Sequence, residues 1–337
     1  VIVNPSLHLA TTSPKYAKMI GTGRYLPQHC VTNQMLVDQL AASGLESSDE
    51  WIVSRTGIRQ RYLCLEGETT TSMSIAAAQA AVANAGLSGE DIEIIILATS
   101  SPDMVFPASA CHVQRALGNF GAPALDMQAA CTGFVYAMTL ANSLIVSGQY
   151  RNALVIGADM ISKVVDWQDR ATCVLFGDGA GAVVLQASET PGIVTSNIHA
   201  DGRQADILSA KGDIRSGVIV NDPYLRMDGQ TVFKSAVNSL EESALQALRD
   251  ANMTVDQIDW LIPHQANIRI LQSVAKRLAI PDDKVVITVD QHANTSAASV
   301  PLALDVAVQD GRIQSGDWLL LQGVGGGFTW GSIIVQF

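Results

Sequence analysis

The chain has 337 residues, 48% of them apolar, which is enough for one large or two medium domains and excludes a disordered or small disulfide-stapled protein. The balance of 21 Lys and Arg against 32 Asp and Glu leaves a net charge of −11, which argues against a general nucleic-acid binder; any polyanionic ligand must meet a local basic patch. The five cysteines (Cys30, Cys64, Cys111, Cys131, Cys173) are odd in number and show no CxxC or Cys/His metal spacing, so neither a disulfide framework nor a metal site is expected, and a reducing cytoplasm fits.

Residues 1 to about 15 lack a basic stretch followed by an apolar run and read as a flexible leader, not a signal peptide. No later apolar run approaches the ~18 residues of a membrane helix. Strand-like runs at Ile94 to Ala98, Leu154 to Ala158, Val183 to Leu185, Leu261 to Pro263, Val285 to Val289, Trp318 to Gln322 and Ile333 to Val335 alternate with Ala-rich helical runs, which is an α/β pattern.

The pattern repeats. The segment Asn84-Ala-Gly-Leu-Ser-Gly-Glu-Asp-Ile-Glu-Ile-Ile-Ile is echoed by Asp250-Ala-Asn-Met-Thr-Val-Asp-Gln-Ile-Asp-Trp-Leu-Ile. A strand ending in Ala130-Cys131-Thr132-Gly133 then matches one ending in Ala293-Asn294-Thr295-Ser296, each leading into an apolar helix. Gly148 and Gly311 each precede a buried strand, and Gly177-Asp-Gly-Ala-Gly matches Gly327-Phe-Thr-Trp-Gly. Two similar α/β halves, 16–190 and 191–337, packed face to face would bring related loops to one cleft.

Three positions carry candidate chemistry. Cys131 follows a strand-like segment and opens a helix, where unpaired N–H groups and the macrodipole favour a thiolate; the pattern predicts a lowered thiol pKa. The other four cysteines read as small buried hydrophobes. His264 follows the strand ending at Ile262, at the end of the sheet where α/β folds present functional side chains. Asn294 occupies the repeat position of Cys131, so the three form a Cys-His-Asn constellation across the pseudo-twofold, while His292 takes an ordinary packing role. The run Gly323-Val-Gly-Gly-Gly-Phe-Thr-Trp-Gly lets backbone N–H groups approach a ligand, as an oxyanion hole requires, and matches no nucleotide-binding glycine fingerprint.

Six motifs in order, Asp49-Glu-Trp-Ile-Val-Ser-Arg-Thr-Gly-Ile-Arg, Ala130-Cys-Thr-Gly-Phe, Gly177-Asp-Gly-Ala-Gly, His264-Gln-Ala-Asn, Asn294-Thr-Ser-Ala-Ala-Ser and Gly325-Gly-Gly-Phe-Thr-Trp-Gly, resemble β-ketoacyl-acyl carrier protein synthase III, a thiolase-fold condensing enzyme. The resemblance covers Tyr16 to Phe337 and implies two α/β halves layered α-β-α-β-α. It implies condensation of a short acyl-CoA primer, acetyl-CoA foremost, with malonyl-acyl carrier protein to start fatty-acid synthesis in a cytoplasmic homodimer without membrane or nucleic-acid partners. No cofactor is implied, since acyl-CoA is a substrate.

The resemblance further implies Cys131 as nucleophile, the N–H groups of Cys131 and Gly326 as oxyanion hole, and His264 and Asn294 as neutral donors to an enolate. Trp51 and Arg170 would sandwich the adenine of CoA, with Arg55, Thr56 and Asn267 near the phosphates and pantetheine and Gly229 and Phe233 lining the tunnel. Phe106 resembles the residue that reaches the neighbouring subunit's acyl pocket, where its bulk favours a short primer. An acidic carrier protein needs a basic docking face. The amphipathic run from Asn267 to Leu278 offers Arg269, Lys276 and Arg277, and Lys234 joins them.

Among relatives, elongating condensing enzymes carry Cys-His-His, hydroxymethylglutaryl-CoA synthase is expected to carry an acid in its triad, and plant-type polyketide synthases end in Gly-Phe-Gly-Pro-Gly; this chain does none of these. A specialised starter-condensing relative in quinolone or polyketide synthesis remains open. Outside the class, a cysteine thioester hydrolase or a non-catalytic acyl-carrier scaffold would keep the same residues.

Overall fold

The computed structural model describes residues 14–337; the expected leader falls, as far as residue 13, outside the described residues. The first half runs β1 (Tyr16–Tyr25), β2 (His29–Thr32), α1 (Asn33–Ala42), α2 (Asp49–Thr56), β3 (Gln60–Leu63), α3 (Thr70–Asn84), β4 (Ile95–Ala98), α4 (Ser109–Ala116), β5 (Ala124–Met127), α5 (Gly133–Val146), β6 (Asn152–Met160), α6 (Arg170–Cys173) and β7 (Asp178–Ser188). The second runs β8 (Ile193–Ala200), β9 (Leu208–Ala210), β10 (Asp213–Arg215), β11 (Val218–Val220), β12 (Leu225–Met227), α7 (Gly229–Asp250), β13 (Trp260–Pro263), α8 (Ile268–Leu278), α9 (Val289–His292), α10 (Ser299–Gln309), β14 (Trp318–Gly325) and β15 (Thr329–Gln336).

Two main sheets form, in the orders β1-β7-β6-β4-β5 and β8-β15-β14-β13. In each, two antiparallel pairings come first: β1/β7/β6, followed by two parallel pairings to β4 and β5, and β8/β15/β14, followed by one parallel pairing to β13. Side chains alternate across each sheet. Ile96, Val155, Val183 and Leu185 of the first sheet, and Leu319, Leu321, Ile333 and Val335 of the second, meet a central layer made of α5 and α10. The alternate residues Ile95, Leu97, Leu154 and Ile156 face α3 and α4, and Leu320 and Ile334 face α7 and α8. The result is the five-layer α-β-α-β-α arrangement.

The duplication is visible element by element. Helix, short 3₁₀ turn and strand follow one another as α3, Gly89–Asp91 and β4, and again as α7, Val255–Gln257 and β13. Both turns open on a capping box, with Ser88 and Asp91 in one and Thr254 and Gln257 in the other. No helix among the described residues is long and apolar enough to cross a membrane.

Two expectations from sequence are corrected. Val285 to Val289 is not a strand: it makes one parallel bridge, Val285 with Leu261, and then coils into α9. The backbone N–H groups of Thr288 and Val289 donate to Oε1 of Gln265, at 2.8 and 3.1 Å, where strand pairing would have put a ladder. The second correction is the register of the repeat. The 3₁₀ turn before α5 is Ala130–Thr132 and the one before α10 is Ser296–Ala298, each opening on a residue of positive φ, Ala130 at 46° and Ser296 at 52°. The counterpart of Cys131 is therefore Ala297, not Asn294.

Candidate active site

Cys131 is placed by the end of β5. The chain leaves the sheet, turns through Ala130 and enters α5, and Thr132 donates its hydroxyl to the Thr329 carbonyl at 2.9 Å, tying the turn to the start of β15. On the other side lies the end of β14. A Cβ on Gly325 would come within 2.7 Å of the Cys131 nitrogen, so only glycine lets that strand pass behind Cys131. Gly326 follows in the turn, and its carbonyl accepts from the Thr329 hydroxyl at 3.1 Å.

His264 continues β13: its N–H donates to the Gln322 carbonyl of β14 at 2.8 Å. The imidazole is buried, with Nδ1 2.5 Å from the Ser299 hydroxyl at the start of α10. Asn294 follows α9 and is gripped by the segment after α6, its N–H donating to the Leu175 carbonyl at 2.9 Å and its carbonyl accepting from Gly177 at 3.0 Å. Its side-chain Oδ1 accepts from the Ser296 N–H at 2.9 Å, which leaves the amide NH₂ free to donate into the cavity.

These three side chains line one cavity whose walls are otherwise mainly apolar and include Met227, Gly229, Phe233 and Phe328. Burial sets the electrostatics. The Cys131 thiol is pushed up to about 12 by desolvation, a Ser296 hydrogen bond opposing the rise and the nearby Asp159 adding to it. The lowered thiol expected from the helix N-terminus is thus not what the fold produces: the sulfur is enclosed, and desolvation outweighs the dipole. Burial likewise pushes His264 down to about 3, so its ring is neutral over the physiological range.

Sequence reading passed over Asp159, the one carboxylate in the apolar run of β6. It is fully buried and bridges the halves, accepting from Thr99 Oγ1 at 3.1 Å, Ser100 N–H at 2.8 Å, Ser101 Oγ at 2.8 Å and, across the interface, Ala297 N–H at 3.1 Å. Four donors compensate a charge that burial raises towards neutrality. An acidic residue inside an otherwise continuous buried strand was the available signal.

The remaining predicted residues divide. Trp51 lies between two guanidinium groups, Arg170 at 4.6 Å and Arg55 at 5.0 Å from its ring centre. Arg170 thus packs directly on the Trp51 ring, the face expected from sequence to take the adenine. The amide of Asn267 donates to the Arg55 carbonyl at 3.0 Å, joining α8 to α2, and Asn267 lines the cavity. Thr56 is a correction: it is buried, its hydroxyl donating to the Ile52 carbonyl at 2.7 Å and accepting from the Ile58 N–H at 3.0 Å, so it offers a ligand nothing. Phe106 stands 82% exposed and outside the cavity of its own chain.

Phe233 lines both the cavity and a neighbouring groove whose other walls are Lys234, Val237, Ser273, Lys276 and Arg277. Arg269 lies 6.0 Å from the Phe233 ring. Arg277 is partly neutralised by Glu241 at 2.7 Å, whereas Lys234 and Lys276 form no ion pair among the described residues.

Five layers, duplicated halves and a cysteine, histidine and asparagine converging on one apolar cavity define a condensing acyltransferase of the thiolase fold. Residues 125–202 match the family described as 3-oxoacyl-[acyl-carrier-protein] synthase III, and residues 248–337 match its C-terminal part. The chain is 44% identical to the crystal structure of 3-oxoacyl-[acyl-carrier-protein] synthase III from Aquifex aeolicus, with a TM-score of 0.90 over 95% of this chain and 100% of that one. It is 40% identical to the same enzyme from Pseudomonas aeruginosa, TM-score 0.89, over 96% and 98%. A third similar structure is the priming β-ketosynthase of the R1128 polyketide pathway, 32% identical, TM-score 0.90, over 98% of each chain. The chain belongs to the 3-oxoacyl-[acyl-carrier-protein] synthase III family.

Proposed function

We propose that this enzyme condenses a short acyl-CoA, acetyl-CoA foremost, with malonyl-acyl carrier protein to give 3-oxoacyl-acyl carrier protein, CoA and CO₂, and so initiates fatty-acid synthesis. The single observation that carries the reading is the meeting of Cys131, His264 and Asn294 in one cavity, with both non-sulfur groups neutral and the Asn294 amide free to donate. Higher identity to the Aquifex aeolicus and Pseudomonas aeruginosa enzymes, 44% and 40%, than to the priming ketosynthase, 32%, favours primary over specialised starter synthesis.

In this reading the half 16–190 supplies the nucleophile and the half 191–337 the two donors. The Cys131 thiolate attacks the primer thioester; the tetrahedral oxyanion is held by the N–H groups of Cys131 and Gly326; CoA leaves with the proton the thiol gave up. Malonyl thioester then enters and loses CO₂, and the electron pair of the broken C–C bond moves into an enolate whose oxygen is held by His264 and the Asn294 amide. The enolate carbon attacks the acyl-Cys131 carbonyl, and collapse of that adduct returns the sulfur. Two neutral donors suit the enolate, because a carboxylate at either position would repel it.

Trp51, Arg55, Arg170 and Asn267 would hold the CoA moiety at the mouth, with Gly229 and Phe233 along the pantetheine. Lys234, Lys276 and Arg269 would meet the acidic carrier, with Arg277 a lesser contributor because Glu241 already pairs it. The exposed Val105 and Phe106 support a homodimer in which Phe106 reaches the partner's acyl pocket, and five free cysteines support a reducing cytoplasm.

Incubation with acetyl-CoA and malonyl-carrier protein is expected to yield a β-ketoacyl product; release of free acid alone would instead define a hydrolase, and unchanged reactants a scaffold. Cys131→Ser is expected to abolish acyl transfer from CoA. His264→Ala and Asn294→Ala are each expected to lower decarboxylation by ~10²-fold, the scale of losing one oxyanion donor, while Cys131 still takes up acyl groups. Equal loading and condensation in all three variants would contradict these roles.

A further inference from the structure

From the geometry around Ser299 we infer that this hydroxyl is a positioning residue that fixes the tautomer of His264, accepting from the Gln265 N–H and donating to Nδ1 so that the imidazole proton is held on Nε2, facing the cavity. Ser299 opens α10 and is buried. Its Oγ lies 2.5 Å from Nδ1 of His264 and 3.2 Å from the Gln265 nitrogen.

The assignment follows from counting donors. A hydroxyl has one proton and two lone pairs, and the Gln265 N–H can only donate, so it occupies one lone pair. If Nδ1 carried the imidazole proton, Ser299 would accept from it as well, and its own proton would need an acceptor. Among the described residues Oγ has no other partner, so that arrangement strands a buried donor. If Ser299 donates to Nδ1, every group in the chain of bonds is satisfied. Nε2 has no protein partner among the described residues, and His264 lines the cavity, so the proton on Nε2 is available to a ligand there. Burial, which keeps the ring neutral, leaves one proton to be placed, and the serine decides where. The hydroxyl touches no substrate; it acts through the histidine.

The inference deepens the proposed function, resting on it for the reason why an Nε2 donor matters, but the tautomer itself is read without substrate. The first measurement is ¹⁵N NMR of histidine-labelled wild-type protein. His264 is expected to show a protonated Nε2 and an unprotonated, hydrogen-bonded Nδ1; a protonated Nδ1 overturns the inference whether or not the enzyme condenses anything. The second compares Ser299→Ala with Ser299→Thr, which retains the hydroxyl. In Ser299→Ala the Nε2 signature is expected to be lost or mixed, and decarboxylation of malonyl thioester to fall on the order of 10-fold or more, as a wrongly protonated histidine does elsewhere. Acyl loading of Cys131 is expected to change by less than about 2-fold, and Ser299→Thr is expected to restore both tautomer and rate. An alanine variant with the wild-type tautomer and rate, or one in which loading and decarboxylation fall together and threonine restores neither, overturns it. If the alanine variant does not fold, the wild-type spectrum alone decides.

Discussion

At the scale of single residues, the thiol pushed up to about 12 and the imidazole pushed down to about 3 separate the two half-reactions by pH. Acyl loading needs the thiolate, whose fraction grows about tenfold per pH unit while the pH stays below the thiol pKa. Its rate is therefore expected to climb steadily from pH 6 to 9 without a plateau. In the proposed mechanism, decarboxylation on preformed acyl-enzyme needs a neutral His264. A folded pKa below the ordinary 6.5 means that the neutral form persists as pH falls through 6.5, so this rate is expected to stay flat from pH 5 to 9. Stopped-flow loading and single-turnover decarboxylation across that range check both; a break in the second near 6.5 would mean that the ring titrates as if exposed. Cys131 and His264 were legible because each stands in a short motif at the end of an apolar run, whereas Asn294 was reached through a repeat register that the structure shifts to Ala297. The thiol's pKa was not, because a helix N-terminus shows in sequence while the enclosure of the sulfur depends on Gly325, brought there by the far end of the chain. Thr56 shows the same limit: its motif is readable, but the inward turn of its hydroxyl depends on how α2 ends.

Between elements, a tight constraint is the passage of the Ser296–Ala298 turn over β6. A Cβ on Gly157 would lie 2.2 Å from the Ala297 carbonyl oxygen and 2.9 Å from its carbon, backbone atoms and not the far end of a flexible side chain. Gly157→Ala is thus expected to force the turn off the strand, destabilising the fold by ~1–3 kcal/mol or more. It should also lower condensation more than this loss of stability explains, because the same turn holds Asn294 and receives Asp159. Urea unfolding and condensation assays on the folded fraction check the two effects; an alanine variant of wild-type stability and rate would mean the turn and strand can separate freely. Periodicity made the paired strands readable, since Ile94 to Ala98 or Trp318 to Gln322 can be buried on both faces only inside a layered sheet. It failed at Val285 to Val289, where five apolar or β-branched residues looked like a strand and the side chain of Gln265 took the backbone donors instead. The repeat register slipped for a related reason: Ala-Asn-Thr-Ser resembles Ala-Cys-Thr-Gly in residue size, but the backbone conformation that defines the turn begins at Ser296.

Across the whole molecule, a net charge of −11 repels an acidic carrier protein, so association depends on where the few unpaired cations lie. Lys234 and Lys276 flank one groove that shares Phe233 with the catalytic cavity, and neither is held by a carboxylate among the described residues. In the proposed reading, a carrier docked there would lie within reach of the cavity mouth, and its pantetheine arm would enter past Phe233. Reversing both charges, with Lys234→Glu and Lys276→Glu together, is expected to raise KM for malonyl-carrier protein by ~10-fold or more at low salt, mainly through a slower on-rate. Acylation of Cys131 by acetyl-CoA, which involves no carrier, is expected to change little. Because the attraction is between exposed charges, the wild-type advantage should shrink as ionic strength rises from about 0.01 to 0.5 M and the Debye length falls from about 30 Å to roughly 4 Å. The same KM in both proteins at low salt would place the carrier on another face, and an equal loss in acetyl-CoA loading would mean that the reversal had disturbed the cavity itself through Phe233.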